Sequence, residues 1–201
     1  MKRYYYQLFI CLLLVLKLSI SFSSAQYAQQ SLDDRILINL ADNRTPEQTG
    51  VFMFLSRTYR YGDIGVPAGL FIAGAIDNDK GMRENSLFVA SSTALAYGVT
   101  ELLKFTVKRR RPFVANANII PVYRASSYSF PSGHTSTTFS TATALSMAYP
   151  KWYVIIPSYL WAGSVSYSRM YLGVHYPSDV AAGILIGSGS AASLMFLRNN
   201  K

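Results

Sequence analysis

The two histidines of this 201-residue chain are its strongest candidates for chemistry, because each stands where a helix is predicted to begin. In the segment 175–179, proline occupies the first helical position and Asp179 falls in the first turn. The Asp179 carboxylate can then bind one imidazole nitrogen of His175 and leave the other as a free lone pair, as a nucleophile or general base requires. The same pair could instead serve only as a hydrogen bond at the helix start.

A second junction, Phe130-Pro131-Ser132-Gly133-His134, has the composition of an anion site. Ser132 is a candidate N-cap, and Gly133 lets an anion approach the backbone closely. The N–H groups of a first helical turn attract negative charge, and His134 would face the same anion. A Pro-Ser-Gly junction with a structural histidine is the alternative interpretation.

Basic residues accompany both junctions. Lys104 and the run 108–111 end a long apolar segment, and Arg169 lies six residues before His175. Taken alone, such a cluster is typical of a solvated helix end, where cations interact favourably with the helix dipole. Because both histidines also lie beside a basic residue or a helix start, we interpret these groups as parts of one site.

Apolar segments separated by short polar connections predict an all-α bundle. Hydrophobic residues make up 50% of the chain and charged residues 14%, which excludes disorder, a coiled coil and a disulfide scaffold. Strand patterns are scarce. In an up-and-down bundle the basic run ends one helix, His134 begins the next and the 168–179 segment joins the last two, so we expect the three to meet at one end. The expected helices are 50–61, 63–75, 87–107, 132–148, 152–168 and 177–197.

Residues 1–25 resemble a secretory signal peptide, with Lys2 and Arg3 before an apolar core at 9–16 and small residues at Ser23-Ser24-Ala25. An uncleaved anchor helix is the alternative, although Lys17 interrupts the apolar run. Cleavage would lower the formal net charge from +9 to +6 and remove Cys11, the single cysteine, so redox chemistry is not expected. Residues 26–49 are expected to form a surface arm with one weak helical turn, followed by one domain over 50–201.

Hydropathy alone does not decide between a bundle that crosses a bilayer and one that rests on it. A span needs about 20 mostly apolar residues. The segment 63–75 is too short and 132–148 is rich in Ser and Thr, so 152–168 and 180–197 are the best candidates. Their small residues suit close helix packing in either solvent.

Together the three segments resemble the signature of the type 2 phosphatidic acid phosphatase (PAP2) superfamily, which also contains bacterial class A acid phosphatases and vanadium haloperoxidases. Its pattern is Lys, six residues, Arg-Pro; then Pro-Ser-Gly-His; then Ser-Arg, five residues, His, three residues, Asp. This chain has Lys104…Arg111-Pro112, the segment 131–134, and Ser168-Arg169…His175…Asp179, with every spacing kept. The resemblance implies a helical bundle of that family over roughly residues 50–197.

The resemblance also implies a mechanism. His175 would attack phosphorus and form a phosphohistidine, Asp179 would orient it, and His134 would protonate the leaving group and then activate water. Fixed cations would stand in for a metal ion in a loose phosphoryl-transfer transition state, so no metal or cofactor is expected. The groups implied to hold the phosphoryl oxygens are Lys104, Arg111, Ser132, the Gly133 N–H and Arg169. Lys108, Arg109 and Arg110 lie outside the pattern and would attract anionic head groups or form a solvated face.

The implied function is a metal-independent phosphatase acting on a lipid phosphate in the bacterial periplasm, at or in the inner membrane. Implied substrates are lipid A, phosphatidic acid, phosphatidylglycerol phosphate and undecaprenyl pyrophosphate. The expected partners are this substrate and the membrane, without nucleic acid. The alternatives are a soluble broad-specificity acid phosphatase, a vanadium haloperoxidase with vanadate at His175, and a non-catalytic anion-binding membrane protein.

Overall fold

The computed structural model describes residues 32–198, and within them all regular structure is helical. Six helices are longer than one turn, which confirms the predicted six-helix all-α bundle. In chain order the helices are α1 (32–42), α2 (Pro46–Ile76), α3 (Lys80–Val107), the single turn α4 (Pro112–Ala115), α5 (Gly133–Ala148), α6 (Trp152–Tyr171) and α7 (Pro177–Ser193), followed by a 3₁₀ turn (Met195–Leu197). The predicted leader, residues 1–25, lies outside the described residues.

The prediction of two short helices around Gly62 is wrong, because α2 runs unbroken from Pro46 to Ile76. A Cβ at Gly62 would collide with the ring of Trp161 on α6. The glycine therefore marks a close contact between two helices and not a break in one of them. Propensity lost at a single glycine is small compared with the packing of such a contact.

Other helix ends differ from prediction for local reasons. Helix α3 begins at Lys80 and not at residue 87, because the Asp79 side chain accepts a hydrogen bond from the Met82 N–H over 3.0 Å and so caps the helix. Helix α6 extends to Tyr171, three residues beyond the predicted end, and this extension places Arg169 in its last turn. Helix α7 stops at Ser193, before the predicted end at residue 197.

Residues 32–42 form a helix that packs on the bundle, and the expected surface arm with one weak turn is therefore incorrect over these residues. Leu37 is fully buried and clusters with Ile119 and Tyr176. The guanidinium of Arg44 donates to the carbonyl oxygens of Tyr171 and Ile120 over 2.7 and 2.5 Å. These contacts attach α1 to the end of the bundle where α6 stops and α7 starts. Residues 26–31 lie outside the described part of the chain.

Helix α5 is the central helix, and its buried face is built of small hydroxyl residues. Thr137 and Thr138 donate their hydroxyls to the carbonyl oxygens of Gly133 and His134, four residues earlier in the helix, so these polar groups are satisfied inside the protein. Helix α7 packs closely against α5 through glycines: a Cβ at Gly183 would lie 2.9 Å from the Ser132 carbonyl oxygen. The Ser and Thr content of α5 reflects this central position.

The outward faces of the other helices carry many exposed large apolar side chains, such as Phe54 and Ile64 on α2, Leu102 on α3, Leu160 on α6 and Leu185 on α7. By length and composition, one helical segment among residues 32–198, Lys80–Ala115, could cross a membrane. The predicted candidates 152–168 and 180–197 do not meet this criterion, because α7 is only 17 residues long and α6 carries Ser, Gly and Arg residues.

The α5–α7 contact generates a stability prediction. Gly187→Ala places a Cβ against the Ser136 carbonyl oxygen, a backbone atom that cannot turn away. We expect overpacking to lower the free energy of unfolding by about 1–3 kcal/mol, with a lower Tm in detergent-solubilised protein. Gly189→Ala, two residues along α7 with open space around the added Cβ, is the matched control and should keep or raise the Tm. Equal Tm values for the two variants would contradict this account of the contact.

Candidate active site

The predicted site residues converge at one end of the bundle, as the order of the motifs indicated. The end of α3, the start of α5, the end of α6 and the start of α7 all contribute side chains there. Arg111 Nη1 lies 3.0 Å from His175 Nε2, and the Ser132 N–H donates to the Asp179 carbonyl oxygen over 3.1 Å. The structure therefore brings all eight predicted residues to one place: Lys104, Arg111, Ser132, Gly133, His134, Arg169, His175 and Asp179.

His175 and Asp179 form the predicted pair, with Nδ1 of the imidazole 3.4 Å from Oδ2 of the carboxylate. Both side chains are buried. The same Oδ2 accepts hydrogen bonds from the Tyr176 N–H over 2.9 Å and from the Ser129 hydroxyl over 2.5 Å. Asp179 thus caps helix α7 and also contacts the imidazole of His175. The arrangement directs His175 Nε2 away from Asp179 and toward Arg111.

The electrostatic surroundings keep His175 neutral. Burial, followed by the positive charges of Arg111, Arg169 and Lys104, holds the pKa of His175 well below its ordinary value. A neutral imidazole whose Nδ1–H donates a hydrogen bond to Asp179 carries a lone pair on Nε2. That is the protonation state that nucleophilic attack requires.

Three buried cations surround this lone pair, and peptide or hydroxyl oxygens hold them in place. Lys104 Nζ donates to the Tyr128 carbonyl oxygen over 2.8 Å, and Arg111 donates to carbonyl oxygens of residues 127 and 174 over 2.8 and 2.6 Å. Arg169 donates to the hydroxyls of Ser56 and Tyr123. The three side chains are only 2–6% exposed, and within residues 32–198 none of them forms a salt bridge.

Burying positive charges without a carboxylate partner costs free energy. Within residues 32–198 the buried Arg169 Nε atom has no hydrogen-bond partner either. Three clustered positive groups with spare donors are suited to bind an anion with several oxygens.

His134 stands at the edge of this group, in the first turn of α5. Its Nε2 atom lies 3.1 Å from the Ser56 carbonyl oxygen, and its ring stacks on Tyr59 with the centroids 3.8 Å apart. The Ser56 hydroxyl also accepts a hydrogen bond from Arg169, so one residue of α2 holds both His134 and one of the three buried cations.

Ser132 and Gly133 differ in part from expectation. Ser132 occupies the N-cap position of α5, but its side chain makes no capping hydrogen bond and instead accepts from the Thr135 hydroxyl over 3.0 Å. The predicted N-cap position is therefore confirmed, but the Ser132 hydroxyl faces the bundle interior and does not cap the helix. A Cβ at Gly133 would meet only Thr100, at an ordinary 3.7 Å. Protein packing does not require glycine there, so the open backbone is available to an anion.

Arg109 is the main site residue that the sequence did not reveal. It was expected to attract head groups or to join a solvated face, yet its side chain is only 9% exposed and its guanidinium donates to Asp179 Oδ1 over 2.7 Å. Lys108 adopts a left-handed conformation at φ 51° and ends helix α3, after which Arg109 and Arg111 turn inward while Lys108 and Arg110 remain exposed. The sequence run of four basic residues shows no such alternation, so it did not single out Arg109. Ser56 and Tyr59 lie far from the motifs in sequence, whereas Ser129 lies only two residues before Pro131 but belongs to no motif.

An apolar groove of about 790 Å³ lies between α2 and α3 and begins beside the site. Tyr59, the residue stacked on His134, lines one part of it together with Arg60. Phe71 and Leu87 line it further along the helices. Asp63 is the acidic group in its wall and accepts a hydrogen bond from Thr141 over 2.9 Å. The groove therefore extends along an apolar surface from Tyr59, the residue that contacts His134.

Within the part of the chain that the structure describes, no group of three or more His, Cys, Asp or Glu side chains is placed to hold a metal ion.

Comparisons with known proteins agree with this geometry. The family model described as "PAP2 superfamily" matches residues 85–201. An undecaprenyl-diphosphatase of Sulfolobus acidocaldarius is 33% identical over 194 residues, covering 94% of this chain and 88% of the relative. A lipid A 4'-phosphatase of Bacteroides thetaiotaomicron is 42% identical over 64 residues, which are 32% of this chain and 28% of that one.

A solved structure shares the fold. The transmembrane PAP2 type phosphatidylglycerolphosphate phosphatase from Bacillus subtilis superposes with a TM-score of 0.69 at 23% identity, covering 83% of this chain and 84% of that one. The motifs, their convergence at one end of a helical bundle and these matches lead to one conclusion: the chain belongs to the PAP2 superfamily.

Proposed function

We propose that the chain is a phosphatase that removes a phosphate group from a membrane lipid through a phosphohistidine intermediate. The observation that carries this proposal is a set of three buried cations, which have no carboxylate partner within residues 32–198, gathered around the unprotonated Nε2 of a neutral histidine. A phosphoryl group offers the several charged oxygens that such a set lacks. Loose phosphoryl-transfer transition states are stabilised chiefly by positioning and charge.

The reaction has two steps. His175 Nε2 gives its lone pair to phosphorus, the bond from phosphorus to the lipid oxygen breaks, and His134 gives that oxygen a proton. Water then loses a proton to His134 and attacks phosphorus, the phosphorus–nitrogen bond breaks, and inorganic phosphate leaves. Asp179 stabilises the positive charge that the imidazole carries in between. The oxygens are held by Lys104, Arg111, Arg169 and the Gly133 N–H.

A lipid substrate is favoured by the groove that begins at Tyr59 and by the apolar outer faces of the bundle. A phosphate bound among the cations would have its leaving oxygen near His134, so a chain attached to that oxygen can continue into the groove. The relative aligned over 94% of this chain acts on an undecaprenyl diphosphate, and we therefore propose isoprenoid diphosphates as the first substrates to assay. Placement of the site at the periplasmic face of the inner membrane is part of the same proposal, because residues 1–25 resemble an export signal.

The covalent step predicts distinct losses for the two histidines. His175→Ala removes the nucleophile and should lower kcat by about 10³-fold or more. His134→Ala removes the proton donor and should slow departure of a lipid leaving group by about 10²–10⁴-fold, but should affect the initial release of p-nitrophenol from p-nitrophenyl phosphate much less, because that leaving group needs no proton. Phosphate release should fall with both substrates, since His134 also activates water in the second step. Rapid measurement of p-nitrophenol release and steady-state phosphate release, both with excess EDTA present, separate the two steps. Full activity of His175→Ala would refute the mechanism, and a strict metal requirement would refute the role of the cations.

The low pKa of His175 predicts a pH dependence. His175 must be neutral to attack, so the acid limb of kcat/KM should lie at its lowered pKa, below the ordinary histidine range. Arg111→Gln removes an adjacent positive charge, raises the pKa of His175, and should move this acid limb to higher pH by about one unit. Arg110→Gln removes the same formal charge from an exposed neighbour and should leave the limb in place. Identical acid limbs for Arg111→Gln and the parent enzyme would contradict the electrostatic assignment.

The groove predicts a separation between lipid and soluble substrates. Ala90→Phe adds bulk inside the groove and should lower kcat/KM for a long-chain isoprenoid diphosphate by about tenfold or more, because a blocked tail loses its buried area. Hydrolysis of p-nitrophenyl phosphate should not change. Leu102→Phe adds an aromatic ring to the exposed outer face of α3, outside the groove lining, and is the control. If the parent enzyme hydrolyses only the soluble ester, the lipid assignment fails.

A further inference from the structure

Asp33, on helix α1, reaches the active site from outside the segment that the family model matches. Its side chain is 2% exposed. Its Oδ2 atom accepts a hydrogen bond from Arg109 Nη2 over 3.1 Å and another from the Ser178 hydroxyl. Its Oδ1 atom accepts from the Ser178 N–H over 3.2 Å, in the first turn of α7. One carboxylate thus holds both a buried cation and the helix start that carries Asp179.

Arg109 connects this carboxylate to the reacting histidine. Its Nη1 atom donates to Asp179 Oδ1 and to the Ser178 hydroxyl, each over 2.7 Å. The guanidinium also lies over the ring of Tyr176, 3.9 Å from its centroid. Asp179 presents its other oxygen to His175. The chain of contacts therefore runs from Asp33 through Arg109 and Asp179 to His175.

The charges of Asp33, Arg109 and Asp179 indicate that Asp33 does more than attach α1 to the bundle. Arg109 alone would neutralise Asp179 and weaken its attraction for the positive imidazole formed during the reaction. With Asp33 present, Arg109 is shared between two buried carboxylates, and the three groups together carry one net negative charge beside His175. In a buried site such a charge acts strongly on its neighbours.

We propose that Asp33 is a positioning residue for phosphoryl transfer, which orients Arg109 and leaves the charge of Asp179 free to stabilise the phosphorylated histidine. This inference rests on the proposed function, because it assigns Asp33 a part in the same reaction. It adds helix α1 to a site that the three sequence motifs do not extend to.

The neighbouring residue supplies a matched control. Asp34 also joins α1 to the bundle, by accepting a hydrogen bond from Asn116 Nδ2 over 3.0 Å. The hydrogen bonds and ion pairs of the structure join Asp34 to neither Arg109 nor Ser178. Asp33→Asn and Asp34→Asn each replace one carboxylate by an amide of the same size, and only the first variant alters the contact with Arg109.

The kinetic test uses the full chain in detergent micelles, with p-nitrophenyl phosphate and with an isoprenoid diphosphate. We expect Asp33→Asn to lower kcat by about ten- to a hundredfold with little change in KM, the range typical of outer groups that orient a reacting residue. Asp34→Asn should stay within about twofold of the parent enzyme. In an Arg109→Gln background, Asp33→Asn should have little further effect, because the connection is already broken. Equal losses in both aspartate variants, in parallel with their Tm values, would reduce Asp33 to an attachment point and overturn the proposal.

A second measurement does not depend on turnover. The chain has only two histidines, so the imidazole NMR signals of His175 can be assigned with a His134→Gln variant. Removing a negative charge from the chain of contacts should lower the pKa of His175 in Asp33→Asn and leave it unchanged in Asp34→Asn. The ionisable groups that face His175 are Lys104, Arg111, His134, Arg169 and Asp179.

The outcomes separate the two proposals. An unchanged pKa of His175 in Asp33→Asn overturns the role of Asp33, whatever the enzyme hydrolyses. A changed pKa in a protein that hydrolyses no lipid phosphate overturns the proposed function and leaves the electrostatic connection in place.

Discussion

The central constraint on this structure is that three buried cations, Lys104, Arg111 and Arg169, lie close to the neutral imidazole of His175. Like charges at such close range repel one another, and each pays a cost for leaving water. The fold holds Lys104 and Arg111 with peptide carbonyl oxygens, and Arg169 with hydroxyls. Neutral dipoles position these groups without cancelling their charge. A carboxylate beside each cation would compensate its charge. It would also compete with the proposed phosphate for the N–H groups of these cations.

Asp179 is a carboxylate beside these groups, and several donors hold it in place. It accepts hydrogen bonds from Arg109, from the Ser129 hydroxyl and from the N–H of Tyr176, and these bonds fix it next to His175. Its position depends in turn on the closeness of α5 and α7, since the Ser132 N–H donates to its carbonyl oxygen. Gly183 permits that closeness, because a side chain there would press on the Ser132 backbone. The position of the Asp179 charge therefore depends on the close glycine packing between α5 and α7.

The sequence predicted the parts of the site that local spacing determines. The order of the motifs predicted one active end of an all-α bundle, and Pro177 predicted the helix start that brings Asp179 to His175. It did not predict the environment of Arg109, which follows from a left-handed turn at Lys108 and from the docking of a helix about 75 positions away. Gly62 was misinterpreted for a similar reason, because its partner Trp161 lies on a distant segment. Contacts between distant segments leave no periodic pattern in either one.

The segment that the family model matches and the two helices before it contribute different parts of the proposed site. The family model matches residues 85–201, and this part supplies the groups proposed to transfer the phosphoryl group. Helices α1 and α2 precede it: α1 contributes Asp33 behind the nucleophile, and α2 contributes Tyr59 and one wall of the apolar groove. In the proposed mechanism the motif residues contact the phosphate alone, so they give no discrimination between lipid tails. The proposal therefore assigns that discrimination to α2 and to the face of α3 opposite it, which form the apolar groove.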